Sequence, residues 1–330
     1  MNNLSVNTDN YNLFFETMFE RHIIWYKRFI EQQTAPYTDD QIFQTTKFTN
    51  IYRELDRNTQ WEIKNIFFDN TLDLRQMIWK IFFFRIINRI ETFETFEKEY
   101  GWRHGLPNIE DYDNDIIYKA FADISDAGKA VFTSSYLVWQ KPYVGGRNVH
   151  YAYTVFPEIV NNIDEIISNL QNAKSANDAL KYLSTLNSIG AFVGYQLYID
   201  LTYIDTFSHL HLFDFKKDDA INVGMGSLQG IRLIYPDIER KNIINGFTYL
   251  KQVTASEFEK IAKERNIEFP YVAFAKNGIH ITNECNITIT EIEHWLCEFQ
   301  KYYGVLNPAR RAKYRSKFVE SSSPILINVN

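Results

Sequence analysis

Apolar residues recur at three-to-four spacing over residues 11–33 (Leu13, Phe14, Met18, Phe19, Ile23, Ile24, Tyr26), which is the period of one helix face. Pro36 and the pair Asp39–Asp40 close that stretch. A second periodic stretch predicts a helix from Phe48 to Phe68. A third covers 72–99, with Thr71 as its N-cap. Residues 139–157 hold Pro142, Gly145, Gly146 and Pro157 among Lys141, Tyr143, Arg147, His150, Tyr151 and Tyr153, and predict a long ordered loop of basic and aromatic character. Helical spacing returns at 158–171, at 176–186, from Gly190 to about Leu201, and at 224–235, 237–248, 254–265 and 290–303. Residues 271–290 are rich in Val, Ile and Thr and predict a small β hairpin or an extended connector. The pattern is that of a mainly α protein.

Composition sharpens this picture. Only 13 Gly and 8 Pro stand among 330 residues while aromatics reach 16%, so long helices around a large aromatic core are expected. A 45% hydrophobic, 23% charged balance excludes a mainly disordered chain. The length suits two domains or one large two-lobed one. The net charge of −6 excludes a bulk polycation, so any nucleic-acid contact must rest on a local basic surface. Two cysteines exclude a disulfide framework and a four-thiolate zinc site; Cys285 and Cys297 read as reduced, half-buried packing residues. The apolar run Met77–Ile90 carries Lys80, Arg85, Asn88 and Arg89, which makes it a core helix rather than a membrane span. The polar N-terminus lacks a basic stretch before an apolar run, so no signal peptide is expected and the compartment reads as cytoplasmic.

The phosphate cradle GxxxxGK[ST], the dinucleotide fingerprint and the GxSxG elbow are all missing from these residues. His209 and His211 stand without further spaced ligands and read as connector residues. Two local features carry chemistry. From Leu186 to Gln196 a tight turn closes on Ile189–Gly190 and opens a helix with small residues, the helix-hairpin-helix pattern. Free N–H groups and the positive end of the helix dipole there suit a phosphate, and a plain αα turn fits the pattern equally well. Further on, Asp218–Asp219 precede an apolar run that opens a helix near Gly224. Such a carboxylate either stabilises a cationic sugar as a base departs or simply caps the helix. On a helix, Tyr52, Asp56 and Thr59 would share one face, and Arg53, Arg57 and Gln60 the next. Those faces fit either a structural ion pair or a pocket for an extruded base.

Five stretches in order resemble the α-glutamyl/putrescinyl-thymine pyrophosphorylase superfamily, whose members include the helical domain of 5-hydroxymethyluracil DNA kinases. They are KFTNIYRELDRNTQ (47–60), FFFRIINRIETFE (82–94), IGAFVGYQ (189–196), Asp219 with Gly224 and Gly226, and CEFQKY (297–302). Met225 stands where the family has Pro between the glycines, and Phe192 stands near where lyase-type glycosylases carry a lysine, which disfavours a Schiff-base mechanism.

The resemblance implies a two-lobed fold like that of helix-hairpin-helix DNA glycosylases. It implies an N-terminal helical extension (1–44), a catalytic region (45–303) and a basic C-terminal tail (304–330). The expected activity is a monofunctional DNA glycosylase that flips and excises a hypermodified pyrimidine, in keeping with a role in phage defence. Asp219, or Asp218, would be the catalytic carboxylate. Asn50, Tyr52, Arg53, Asp56, Arg57 and Gln196 would line the base pocket. Ser188, Gly190, Gly194, Arg310 and Arg311 would hold DNA. DNA is the expected partner, and neither a metal nor an organic cofactor is expected. Two other readings stay open: transfer of an amino acid or polyamine onto an activated thymine with loss of pyrophosphate, and a non-catalytic module that binds modified DNA.

Overall fold

The computed structural model describes residues 5–133 and 145–307. Its helices are α1 (Thr8–Phe29), α2 (Gln41–Thr45), α3 (Arg57–Glu62), α4 (Leu74–Ile87), α5 (Ile90–Tyr100), α6 (Asn114–Asp126), α7 (Gly146–His150), α8 (Phe156–Asn161), α9 (Ile163–Gln171), α10 (Ala176–Thr185), α11 (Gly190–Phe207), α12 (Met225–Ile234), α13 (Ile243–Arg265) and α14 (Ile289–Leu306). Strands β1 (Tyr271–Ala275) and β2 (Gly278–Thr282) form an antiparallel hairpin, paired from Tyr271 with Thr282 to Ala275 with Gly278. The chain is therefore mainly α with one small hairpin. It divides into two compact units, one made of 1–59 with 223–330, the other of 60–222.

In the first unit α14 is the hub, packed by α1, α2, α12 and α13. Thr288 and Glu291 form a capping box at its start, satisfying two of the free N–H groups that every helix opens with. Its inner side carries Trp295, whose indole N–H donates to the Phe14 carbonyl (3.3 Å), and Phe299, edge-on to Phe14. Phe19, Phe258 and Phe269 close the core beside the hairpin, with Phe258 and Phe269 only 4.4 Å apart.

In the second unit α4 is buried from Met77 to Ile87 without interruption. Burying a side chain such as Ile, Phe or Trp contributes about 1.5–3 kcal/mol. Six large apolar groups from Ile78 to Phe84 therefore outweigh the burden of Lys80 and Arg85 on the same helix, provided both cations find partners. Lys80 donates to the Leu106 carbonyl (3.1 Å), and Arg85 lies between two carboxylates. α11 packs against α4 and α10, with α9 covering both α4 and α10.

Several boundaries differ from the sequence reading. The expected helix 48–68 is extended at Tyr52, makes one 3₁₀ turn at Arg53–Leu55, is extended again at Asp56, and becomes helical only at Arg57. Asn50 explains this, because its side chain bonds the backbone of Leu55 and the carboxylate of Asp56 and so competes with helix formation. The expected helix 72–99 breaks at Asn88, which takes a left-handed conformation, and Asp73 rather than Thr71 caps it. From Gly146 onward the expected loop is helix, with a π turn at Tyr151–Val155 joining α7 to α8. Tyr151, Ala152, Val155 and Phe156 are buried in the core, and that burial overrides the local Pro and Gly signals. The pieces 237–248 and 254–265 belong to a single α13, with Thr254 buried inside it. Both cysteines are exposed rather than half-buried. Lys141 and Tyr143, and Arg310, Arg311 and the rest of the basic tail, lie outside the described residues.

Candidate functional site

Two of the resemblance stretches, 47–60 and 297–302, meet within the first unit together with the glycines of a third, whose Asp219 lies in the second unit. Glu298 accepts a hydrogen bond from the Thr49 N–H (3.2 Å). Lys301 donates to the Lys47 carbonyl and lies 4.6 Å from the centre of the Phe48 ring. His294 Nε2 is 3.8 Å from a carboxylate oxygen of Asp56. His294, Glu298 and Lys301 are spaced i, i+4, i+7, so one face of α14 grips the 47–56 strand of chain. The other carboxylate oxygen of Asp56 accepts from the Asn50 backbone N–H (2.8 Å) and side-chain amide (3.3 Å). Asn50 Oδ1 is buried and accepts no hydrogen bond among the described residues.

The glycines of the third stretch explain how α12 comes so close. A Cβ on Gly226 would lie 2.2 Å from Cys297 Sγ, and one on Gly230 would lie 2.1 Å from the Leu296 carbonyl oxygen. Only hydrogen fits there. Gly224 caps α12 without a side chain of its own, and the Glu293 carboxyl of α14 sits against its backbone and against the Ser227 hydroxyl. Met225, between the glycines, is 70% exposed.

Burial raises the Asp56 carboxyl above its usual range, opposed by the charge of His294, the Asn50 N–H and the guanidiniums of Arg21 and Arg53. Burial likewise raises Glu293, opposed by the Ser227 hydroxyl and the charge of His294. The half-buried Asp56–His294 pair, with the Glu293 carboxyl on the same helix as His294, thus sets an imidazole near carboxyls whose pKa burial raises. Such a group can accept a proton at one atom and donate one at another. Tyr52 is placed differently. It is 1% exposed, its hydroxyl donates to Asn286 Oδ1 (2.8 Å), and its ring lies against His22 and Phe274. Arg53 is buried as well, while Arg57 is exposed.

The second unit holds the other stretches. Helices α10 and α11 are joined by a turn in which Ser188 and Gly190 both take positive φ (61° and 62°). His150 Nε2 is 2.7 Å from the Ser188 hydroxyl, and Asn187 donates to Glu158 (3.0 Å). A Cβ on Gly190 would meet nothing within 4 Å, so this glycine answers the backbone angle rather than a crowded contact. Gly194 is a packing position, since its Cβ would stand 2.8 Å from Ser184 Oγ on α10. Gln196 is half-buried. Asp219 closes a turn: its carboxylate accepts from the Lys216 N–H (2.8 Å), and the side chain is exposed. Asp218 is half-buried. That turn is tied to α11 at Tyr198, whose hydroxyl donates to the Lys216 carbonyl (2.6 Å). Tyr198 lies eight positions past Gly190, about 12 Å along the helix axis. The acidic turn therefore attaches to the body of α11 and not to its N-terminus. Arg85 of the second stretch is a buried tie, bonded through Nη2 to Asp200 (2.7 Å) and Glu62 (2.9 Å) and through Nε to Asp200.

Of the residues that α14 contributes, Glu298 and Lys301 stand in the family-like string 297–302, whereas Glu293 and His294 lie before it and carry no sequence signal for a site. Their helical spacing in 290–303 was legible; their meeting with 47–56 was not. Among the described residues no three His, Cys, Asp or Glu side chains are grouped to hold a metal ion, and no helix is long and apolar enough to cross a membrane.

The chain belongs to the family of 5-hmdU DNA kinase helical domains, whose model matches residues 8–311. A 5-hmdU DNA kinase of Bacillus phage SP10 is 23% identical over 304 residues, covering 89% of this chain and 45% of that relative. The chain thus spans about half the length of the curated relative it matches. No solved structure matches. The relative's name is that of a kinase, a phosphoryl-transferring enzyme. This overturns the expectation of a hydrolase that cuts an N-glycosyl bond, and with no structural match the glycosylase likeness of the fold has no support.

Proposed function

We propose that this chain recognises DNA carrying pyrimidines substituted at the 5-position and serves group transfer at that substituent. The observation that carries the reading is the meeting of the 47–56 segment and the Gly224–Gly226 turn with the α14 helix at Asp56, His294 and Glu293, in a chain that matches the 5-hmdU DNA kinase helical domain from residue 8 to 311. The chemistry follows from those side chains. An amine attacks the 5-methylene carbon of an activated thymine, the C–N bond forms as the C–O bond to diphosphate breaks, and the proton shed by the nitrogen passes to His294. Asp56 orients the imidazole, and Glu293, whose carboxyl burial raises, in its protonated form donates a hydrogen bond to the departing oxygen. The base must leave the stack for its 5-substituent to be reached.

The test uses oligonucleotides carrying thymine, 5-hydroxymethyluracil or its 5-diphosphate, with and without an amine. The expected result is tighter binding of the substituted strands, and a mass gain with diphosphate release only for the activated base with amine. His294→Ala should slow that step by about 10²–10⁴ while binding persists, the usual worth of general acid–base catalysis. Equal affinity for all three strands and no change in mass would overturn the reading. Because the match is to a helical domain covering 45% of the relative, a recognition module without turnover is the second reading; preference for the substituted base with no product in any mixture would establish it.

A further inference from the structure

Met225 opens α12 and is 70% exposed, more than any other large apolar side chain among the described residues. The next, Val6 and Phe192, stand at 48%. The backbone on either side of Met225 is held. The Glu293 carboxyl sits against Gly224, and Gly226 is packed so closely that a Cβ there would lie 2.2 Å from Cys297 Sγ. One turn further on, Gly230 is pressed on the Leu296 carbonyl. The start of α12 is thereby clamped to the turn of α14 that carries Glu293, His294 and Cys297, while the Met225 side chain stands in solvent. Helical side chains lean toward the N-terminus of their helix, so one at the first position reaches past the end of α12 instead of lying along it.

We propose that Met225 is a wedge, which enters the base stack of DNA where a pyrimidine leaves it, beside the α14 turn that carries His294. The inference rests on the reading that this chain takes up a base swung out of its strand. Extrusion breaks the stacking on both faces of the base, and it becomes easier when an apolar side chain refills the gap. The dimensions agree. Stacked bases are about 3.4 Å apart along a strand, so one departure leaves about 6.8 Å between the neighbouring ring planes. An unbranched chain in van der Waals contact with both rings needs about 3.5–4.0 Å on each side, or about 7–8 Å in all. A thioether chain therefore fills the gap with little widening, and its polarisable sulfur makes favourable contacts with aromatic rings. A wedge also needs a rigid base to be pushed from. The glycine contacts with α14 supply that base, and they leave the wedge itself free of the core.

The test measures affinity by fluorescence anisotropy for DNA carrying one 5-hydroxymethyluracil in three settings: in a fully paired duplex, at a mismatch, and in a single strand. A wedge helps only where a stack has to be opened, and a mismatched base is already partly out of it. Met225→Ala is expected to weaken binding to the paired duplex by about tenfold or more, to the mismatched duplex by less, and to the single strand by less than about twofold. Met225→Phe, which keeps an apolar wedge, is expected to stay close to the wild type in all three settings. Ile244→Ala removes another exposed apolar side chain, on α13, and is expected to change none of them. Equal melting temperatures are expected for all variants, because both side chains are exposed. Unchanged affinity of Met225→Ala for the paired duplex would overturn the wedge, and so would an equal loss on duplex and single strand, the mark of an ordinary contact. A thymine duplex separates this idea from the proposed function. If the wild type prefers 5-hydroxymethyluracil over thymine and Met225→Ala binds every strand as the wild type does, the wedge alone fails. If that preference is missing while the duplex-selective loss remains, the substrate reading fails and the wedge stands. A wild-type protein that binds none of these strands overturns both.

Discussion

Two clusters of acid and base, one in each unit, have opposite characters. Arg85, Asp200 and Glu62 lie in the dry centre of the second unit, with the guanidinium bonded to both carboxylates at ordinary or short distances. Asp56 and His294 in the first unit face each other at 3.8 Å, with about a fifth of each side chain in solvent. The first cluster has its geometry completed from within and no access to a substrate. The second leaves a hydrogen-bonding distance unclosed and a buried amide oxygen, Asn50 Oδ1, without a donor among the described residues. Charges whose partners are all in place hold a fold. Charges left partly open at the surface are the ones the proposed function calls on.

The largest expected effect tests the buried cluster. Arg85→Met should destabilise the protein by about 3–5 kcal/mol in urea unfolding, because two buried carboxylates lose their cation. His294→Ala should remain within about 1 kcal/mol, as for other exposed or half-exposed pairs. Equal losses would erase the distinction between the two clusters. Next comes the helix contact beneath the open cluster. Gly230→Ala drives a methyl into the Leu296 carbonyl, and Gly226→Ala drives one into Cys297 Sγ. Each should cost about 1–3 kcal/mol by overpacking. Cys297→Ala should recover most of the Gly226→Ala loss and none of the Gly230→Ala loss, as read from a double-mutant cycle.

The pH dependence gives a smaller and signed test. The raised Asp56 carboxyl holds its proton better in the folded than in the unfolded chain. Its contribution is therefore complete below the ordinary value of 3.8 and is lost as pH rises through the raised one. His22 has the opposite sense. Burial lowers it from 6.5 to about 3, with its ring bonded to the Pro270 carbonyl (2.6 Å), so its contribution is complete above 6.5 and is lost as pH falls toward 3. Asp56→Asn should thus gain on the wild type as pH rises from 4, and His22→Gln should flatten the acid limb between 6.5 and 3, both measured as melting temperature against pH. The smallest effect is expected at Asp219→Asn, which weakens one exposed turn bond and should change stability by no more than about 1 kcal/mol, checked by the same melts.

Much of the architecture was legible in the chain. The mainly helical character, the turn before Gly190 and the burial of 77–87 follow from spacing and composition alone, and of the hairpin or connector expected over 271–290 the structure shows a hairpin at 271–282. The family was legible too, because short strings keep their order even when a quarter or fewer of the residues match. Errors arose where a side chain or a core overruled a local pattern. Asn50 unwinds what looks like helix, and Tyr151 and Phe156 pull what looks like loop into the core as helix. At the site, Asp56 was among the expected residues, whereas Glu293 and His294 were not.

Periodicity is a property of neighbours along the chain, so the sequence determined by itself the mainly helical character, most of the helical segments and the strings that mark the family. Whether a carboxylate is an internal tie, like Asp200, or half of an open pair, like Asp56, depends on what lies across from it. The partners of Asp56 and Gly226 sit on α14, more than two hundred and about seventy positions away respectively. Charge, burial and closeness of approach act through space. Only the packing of α14 against the 47–56 stretch and α12 decided them.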